Sequence, residues 1–446
     1  MNRSRRAVLF ACGAGLAPLA GCSSLDPDRE TPTYEGSRLD AFARKDVPRP
    51  PATFPVSVPD AMVSRHLDRA RELIEHGPER PDLPNADARE RLGADRGTVL
   101  DRLDAVDGDS AGHARTPLRR LATARDVRED AAAVDAAYRA ATDDVTEQAV
   151  ADRRTQLRSA VVDFERAWTY RGDDPSTAVV VHRALKDLQT EARPGIAPTR
   201  AFPEEPTTDP FRVGELVRQL ERGDAALSDA GRLRRRYRES LSEPRPYRTA
   251  FSVAASRLRR IVERYREDLH GYIDADVEEL PFDQPIAETP LRWLYFWATD
   301  GLDIFRTDAE EARLRGDPAT EVIARGVHLT VLRALKAIVT DIENDRVSVP
   351  ETVTGIEAAR REALDSLARA WSTDPTVLAV AVAHWAERLV LDVTDRLRGP
   401  AIGADETPDT RDGYNIWATY VTASHVAAAV PRTVADCREA LRVATS

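Results

Sequence analysis

Side chains able to do acid–base, nucleophilic or metal chemistry are sparse in this 446-residue chain: eight histidines and three cysteines. The histidines are His66, His76, His113, His182, His270, His328, His384 and His425. Neither His-Glu-x-x-His nor Cys-x-x-Cys occurs, the spacings that set zinc ligands on one helix face or one knuckle. Glu267 and His270 make a single Glu-x-x-His. A carboxylate-bridged two-metal bundle needs two such motifs and two further glutamates, and His384 and Glu387 stand in the reverse order. Asp274, Asp276, Glu278, Glu279 and Asp283 are acidic enough to hold a cation loosely, but they lack the glycine and the spacing of an EF-hand loop. A Gly-x-Ser-x-Gly nucleophile turn, a phosphate-cradling loop and a dinucleotide fingerprint are also missing. The motifs therefore place binding ahead of catalysis, with no cofactor or metal expected.

The elements that would position these groups are helical. From residue 60 onward apolar residues follow helical spacing, which predicts an all-α body of about twelve helices, arranged as αα-hairpins in bundles or an irregular solenoid. Thr116-Pro117, Asp174-Pro175, Asp209-Pro210, Thr289-Pro290, Asp317-Pro318 and Asp374-Pro375 each put a capping side chain before a proline suited to the first helical turn. Gly77, Gly172, Gly316 and Gly399 are suited to helix ends. Segments 163–185, 315–336 and 365–384 share a helix–capped turn–helix pattern. His182, His328 and His384 fall in the second helix of these copies. If the copies superpose, the three line a shared seam; otherwise they are satisfied core histidines. The proline-rich stretch 194–210 marks a boundary between a helical region 60–195 and another at 208–446.

Two surfaces stand out. Residues 211–270 carry 15 arginines against nine acids. The focus is Arg234, Arg235, Arg236 and Arg238, which read either as a solvated helix face or as a contact for anionic headgroups or an acidic partner. Residues 291–305 concentrate Trp293, Tyr295, Phe296, Trp297 and Phe305. Trp293 and Trp297 share a helix face and mark either central core or a ligand or partner groove. The long C-terminal helical stretch from Tyr414 to Val443 contains Pro431, which is expected to kink it.

Charge frames all of this. The formal net charge is −11, and of 64 basic residues only Lys45, Lys186 and Lys336 are lysines. This Asp-rich, Arg-rich, Lys-poor composition resembles a haloarchaeal proteome; a high-GC mesophile is the other source of such a bias. At molar salt the Debye length falls to about 3 Å, so no nucleic-acid partner is expected on charge alone.

The N-terminal residues carry a resemblance. Ser4-Arg5-Arg6-Ala7-Val8-Leu9, with Arg5 and Arg6 as the pair, resembles a twin-arginine export signal. The apolar stretch Ala7–Ala20 leads into Leu19-Ala20-Gly21-Cys22, which resembles a lipobox. The resemblance covers residues 1–24 only. It implies a signal peptide over 1–21, export of a folded protein, and a lipid on Cys22 that anchors the chain to the outer face of the cell membrane. Residues 22–59 then form a Pro-rich tether, either a semi-rigid stalk or an arm packed on the body. Cys437 remains as the one cysteine of the mature chain. The leading expectation is a non-catalytic, lipid-anchored extracytoplasmic module that binds an envelope protein or a ligand between helices. The other reading is an extracytoplasmic metal-binding protein or enzyme whose site gathers distant groups such as Glu267, His270, His328 and His384.

Overall fold

A computed structural model describes residues 38–39, 41, 45, 47–76, 85–107, 116–142, 144–398 and 410–444. The segment that carries Arg5, Arg6 and Cys22 lies outside them. The described chain is all-α, as expected, with a single two-residue strand pair. Its long helices are α1 (Asp60–His76), α2 (Ala86–Asp107), α3 (Pro117–Ala141), α4 (Glu147–Arg166), α5 (Pro175–Thr190), α7 (Pro210–Ser240), α8 (Arg248–Asp268), α10 (Leu291–Leu314), α11 (Pro318–Glu343), α12 (Val353–Trp371), α13 (Thr376–Arg398) and α14 (Thr410–Val443). Single turns α6 (Arg193–Ile196) and α9 (His270–Ile273) join them. Strand β1 (Arg171–Gly172) pairs antiparallel with β2 (Arg245–Pro246).

The capped starts form as local chemistry dictates. Thr116 accepts from Arg119 N at 3.3 Å, and Asp174 accepts from Ser176 N at 2.9 Å and Thr177 N at 3.2 Å. Gly316 ends α10 with φ +67°, a conformation that costs a side-chain residue strain, and Asp317 caps α11 immediately after. Two starts depart from this: Asp209 makes no side-chain cap bond, and at Thr289-Pro290 the cap position falls on Pro290, which has no side-chain cap bond, so that α10 begins at Leu291.

These helices pack as two bundles, each with its own apolar cluster. In the first, α3 and α7 are the central pair, flanked by α1, α2 and α4. A Cβ at Gly214 of α7 would sit 2.6 Å from the Ala133 carbonyl of α3, so only glycine permits this approach. In the second, α11 is buried from Pro318 through Leu335 and is wrapped by α8, α10, α13 and α14. This central helix is not the aromatic one, α10, on which Trp293, Phe296 and Trp297 are half-buried. The repeated hairpins are real for α10–α11 and α12–α13. In the first copy α4 and α5 scarcely touch, because β1 splays them apart.

The two cores divide at residues 241–247 and not at 194–210. The proline-rich stretch stays inside the first bundle: a Cβ at Gly195 would lie 2.8 Å from the Gln219 carbonyl of α7. The linker is held rather than loose. Asp173 accepts from Ser242 N and Glu243 N, both at 2.9 Å, and Tyr247 N donates to Tyr170 O at 2.9 Å. The described residues before α1 lie along the body as an arm. Leu39 and Val47 belong to the second core and Val56 to the first. Arg360 donates to Lys45 O at 3.0 Å and Arg236 to Ser57 Oγ at 2.9 Å.

The first bundle buries charge between α1, α3 and α7. Asp229, 2% exposed, accepts from His66 Nε2 at 3.0 Å and from Arg125 Nη1 at 3.2 Å. Glu221 accepts from Arg128 at 2.7 Å and also pairs with Arg153. Burial alone would raise the Glu221 carboxyl, but the Arg153 and Arg128 guanidiniums outweigh it and hold it below the usual range. Glu129 has weaker partners, and burial pushes its carboxyl up to about 7. Removing one member of such a buried set strands the others, at a cost of about 3–5 kcal/mol. Asp229→Ala is therefore expected to lower unfolding free energy by about that amount in urea titrations. Arg235→Ala, at an exposed position of the same helix, is expected to stay within about 0.5 kcal/mol. Equal effects would show that the Asp229 cluster contributes no more than surface charge.

Candidate functional site

The two bundles share α5. Val181, Leu185 and Leu188 enter the first core, whereas Ala178 and Val179 enter the second. Helical spacing puts Val179, Arg183, Lys186 and Asp187 on one side of α5. At Val179 that side enters the second core; one to two turns later it carries charged groups. Asp308 of α10 and His384 of α13 both lie within electrostatic reach of Arg183. Arg119 of α3 makes an ion pair to Glu387 of α13, at 3.2 Å.

Asp187 pairs with Arg183 at 3.1 Å. Lost hydration raises its carboxyl, against the pull of Arg183 and with help from Asp317 and Asp308. Asp308 is raised for the same reason. His384 Nδ1 lies 3.0 Å from Ala381 O, so Nδ1 carries the hydrogen and Nε2 is left as an acceptor. Burial first, then the nearby Arg183, push the imidazole down to about 3, so it is neutral at ordinary pH. Phe305 meets its ring edge-on at 5.5 Å. Guanidinium donors, a neutral imidazole acceptor and two reluctant carboxyls suit a polar ligand held by hydrogen bonds and charge.

The junction between the bundles is clamped by rings. His182 of α5 lies 5.0 Å from Tyr170, 5.3 Å from Trp168, 5.9 Å from Tyr237 and 6.3 Å from Phe251, which come from both bundles. Tyr170 donates to Asp317 at 3.1 Å, tying the first bundle to the cap of α11. Lys186 places its ammonium 4.6 Å from the Trp168 ring and donates to Gln189 at 2.8 Å. Burial lowers its pKa.

The other sequence-derived residues are scattered. Trp297 donates to Asn415 at 2.7 Å and carries Arg396 over its ring, while Arg292 covers Trp293. Arg234 is half-buried on the Phe164 ring, and Arg236 holds the arm at Ser57. Arg235 and Arg238 remain exposed. His270 is exposed beside the Glu267 carbonyl, whereas His328 is fully enclosed on α11. His182, His328 and His384 thus occupy three separate surroundings and share no seam. Among the described residues, no group of three or more His, Cys, Asp or Glu is placed to hold a metal ion. Cys437 is buried, which pushes its thiol up to about 12 and leaves it unreactive. The polar residues Arg183, Lys186, Asp187 and Asp308 escaped sequence reasoning. Only the rarity of lysine singled out one of them.

Comparison with known families follows the division between the cores. Residues 61–243 are similar to one domain of unknown function (DUF8262), and residues 248–439 to a second (DUF8264). The two matches meet at the linker that joins α7 to β2. No curated protein and no solved structure matches the chain.

His328 offers a test of the buried histidines. Neither ring nitrogen has a hydrogen-bond partner, and burial pushes the ring down to about 3. The unfolded chain takes up a proton near the ordinary value of 6.5, but the folded chain does not until about 3. The native imidazole therefore costs increasing stability as pH falls below 6.5. His328→Leu should be at least as stable as the native chain at pH 7.5. Its advantage should then grow by about 1.4 kcal/mol per pH unit on acidification, measured by urea unfolding. A pH-independent difference would mean that the folded chain protonates this ring as readily as the unfolded chain.

Proposed function

We propose that this protein is a lipid-anchored, extracytoplasmic helical binding module. It is exported folded by the twin-arginine route and held at the outer face of the membrane through Cys22. The carrying observation is the order of Arg5-Arg6, the apolar stretch and Leu19-Ala20-Gly21-Cys22 in the first residues. No helix among the described residues is long and apolar enough to cross a membrane, so attachment in this reading falls to the lipid. The polar cluster about Arg183 is the ligand side, because it gathers Asp187 of α5, Asp308 of α10 and His384 of α13 from both bundles. Its partner is a polar solute or a side-chain cluster of an envelope protein.

The chain from Cys22 to Arg38 spans at most about 55 Å, at roughly 3.5 Å per residue. The body therefore works close to the membrane in this reading. The test is membrane fractionation with mass spectrometry of the N-terminal peptide. The native chain is expected in the membrane fraction with Cys22 as its lipid-modified first residue. Cys22→Ala is expected to leave that fraction, and Arg5→Lys with Arg6→Lys to leave the protein inside the cell. An unprocessed native chain in the soluble fraction would defeat the proposal.

A further inference from the structure

A second opening lies on the far side of the second bundle. A groove of about 580 Å³ runs between α8 and the last turns of α14. Its α8 wall carries Arg257, Arg260 and Arg264, with Ile261 between them. Its α14 wall carries Asp436, Glu439 and Ala440. The i, i+3, i+7 spacing stacks three guanidiniums on one helix face over about 10 Å. None of the three makes an ion pair or a hydrogen bond among the described residues.

The facing carboxylates are largely spent. Asp436 pairs with the buried Arg333 of α11. Glu439 takes both its bonds from Arg442, each at 2.9 Å, with Arg257 at longer range. Glu263 also lines the groove and lies 4.0 Å from Arg259. Of the four lining carboxylates only Glu267 makes no ion pair among the described residues, so three unpaired guanidiniums face one unpaired carboxylate. Ile261 and Ala440 supply an apolar patch, which strengthens charge-assisted bonds made beside it.

We propose that this groove binds a phosphate-bearing anion, with Arg260 and Arg264 taking its oxygens and Arg257 completing the row. A carboxylate presents two oxygens, too few for three forked donors spread over a helix face. A phosphate presents three, a pyrophosphate or phosphodiester headgroup reaches further, and the planar guanidinium matches either bidentately. The ligand is a soluble phosphate or the headgroup of an anionic lipid; the chemistry of recognition is the same. The inference does not depend on Cys22 or on the polar cluster about Arg183.

The experiment uses the full chain at fixed ionic strength. Calorimetric titration with inorganic pyrophosphate should show saturable binding. Arg260→Gln with Arg264→Gln should weaken it at least tenfold. Arg235→Gln with Arg238→Gln, the same loss of charge on the exposed face of α7, should leave it unchanged. Both pairs are exposed, and matching melting curves confirm that each variant is folded. Sedimentation with phosphatidylglycerol and phosphatidylcholine vesicles separates the two sources. Phosphatidylglycerol binding that falls in the groove variant assigns a lipid headgroup. Vesicle binding indifferent to it, with pyrophosphate binding lost, assigns a soluble phosphate. The proposal is overturned by equal losses in both variants, or by neither saturable pyrophosphate binding nor groove-dependent vesicle binding.

Discussion

Burial of α5 by two different cores is the constraint on which the rest of the molecule hangs. A helix that gives Val181 and Leu185 to one bundle and Val179 to the other cannot shift without opening apolar surface on both sides. Everything at the junction follows from that fixed position. The rings of Trp168, Tyr170, Tyr237 and Phe251 can close on His182 because α5 holds the imidazole between them.

The first bundle solves a different problem, the burial of carboxylates in an acidic chain. Asp229 and Glu221 sit two turns apart on α7 and would each be costly inside a low-dielectric core. Arginine makes them tolerable, because its fork can meet more than one acceptor. Arg125 reaches both Asp229 and Glu191, and Arg153 both Glu221 and Asp224. A lysine in either place would offer a point charge and leave oxygens unmet. The scarcity of lysine in the composition thus has a counterpart in the core. The second bundle repeats the device on α11, where Arg325 meets Glu310 and Arg333 meets Asp436.

Local chemistry was legible in the sequence and distant chemistry was not. The caps at Thr116, Asp174 and Asp317 and the turn at Gly316 depend on residues within a few positions, and they form where the spacing puts them. The boundary was misplaced because prolines mark a chain break but say nothing of what the break packs against. Residues 194–210 lie on α7, and the true linker 241–247 is too short to stand out. Nothing in the spacing of Asp229 and Glu221 marks them as buried, since only the approach of α3 and α1 encloses them. Arg234 looked like its neighbours until Phe164 was placed beneath it. The polar cluster about Arg183 was invisible for the same reason: no spacing rule links α5 with α10.

The arm before α1 has a mechanical meaning. It is fixed to the second bundle at Leu39, Val47 and Arg360, and to the first at Val56 and Arg236. A pull on the N-terminal end of the chain is therefore first borne by α12, a helix of the second bundle, and reaches the first bundle only through the crossing segment. Tension on that end has to free the arm from both bundles before it reaches the first turn of α1.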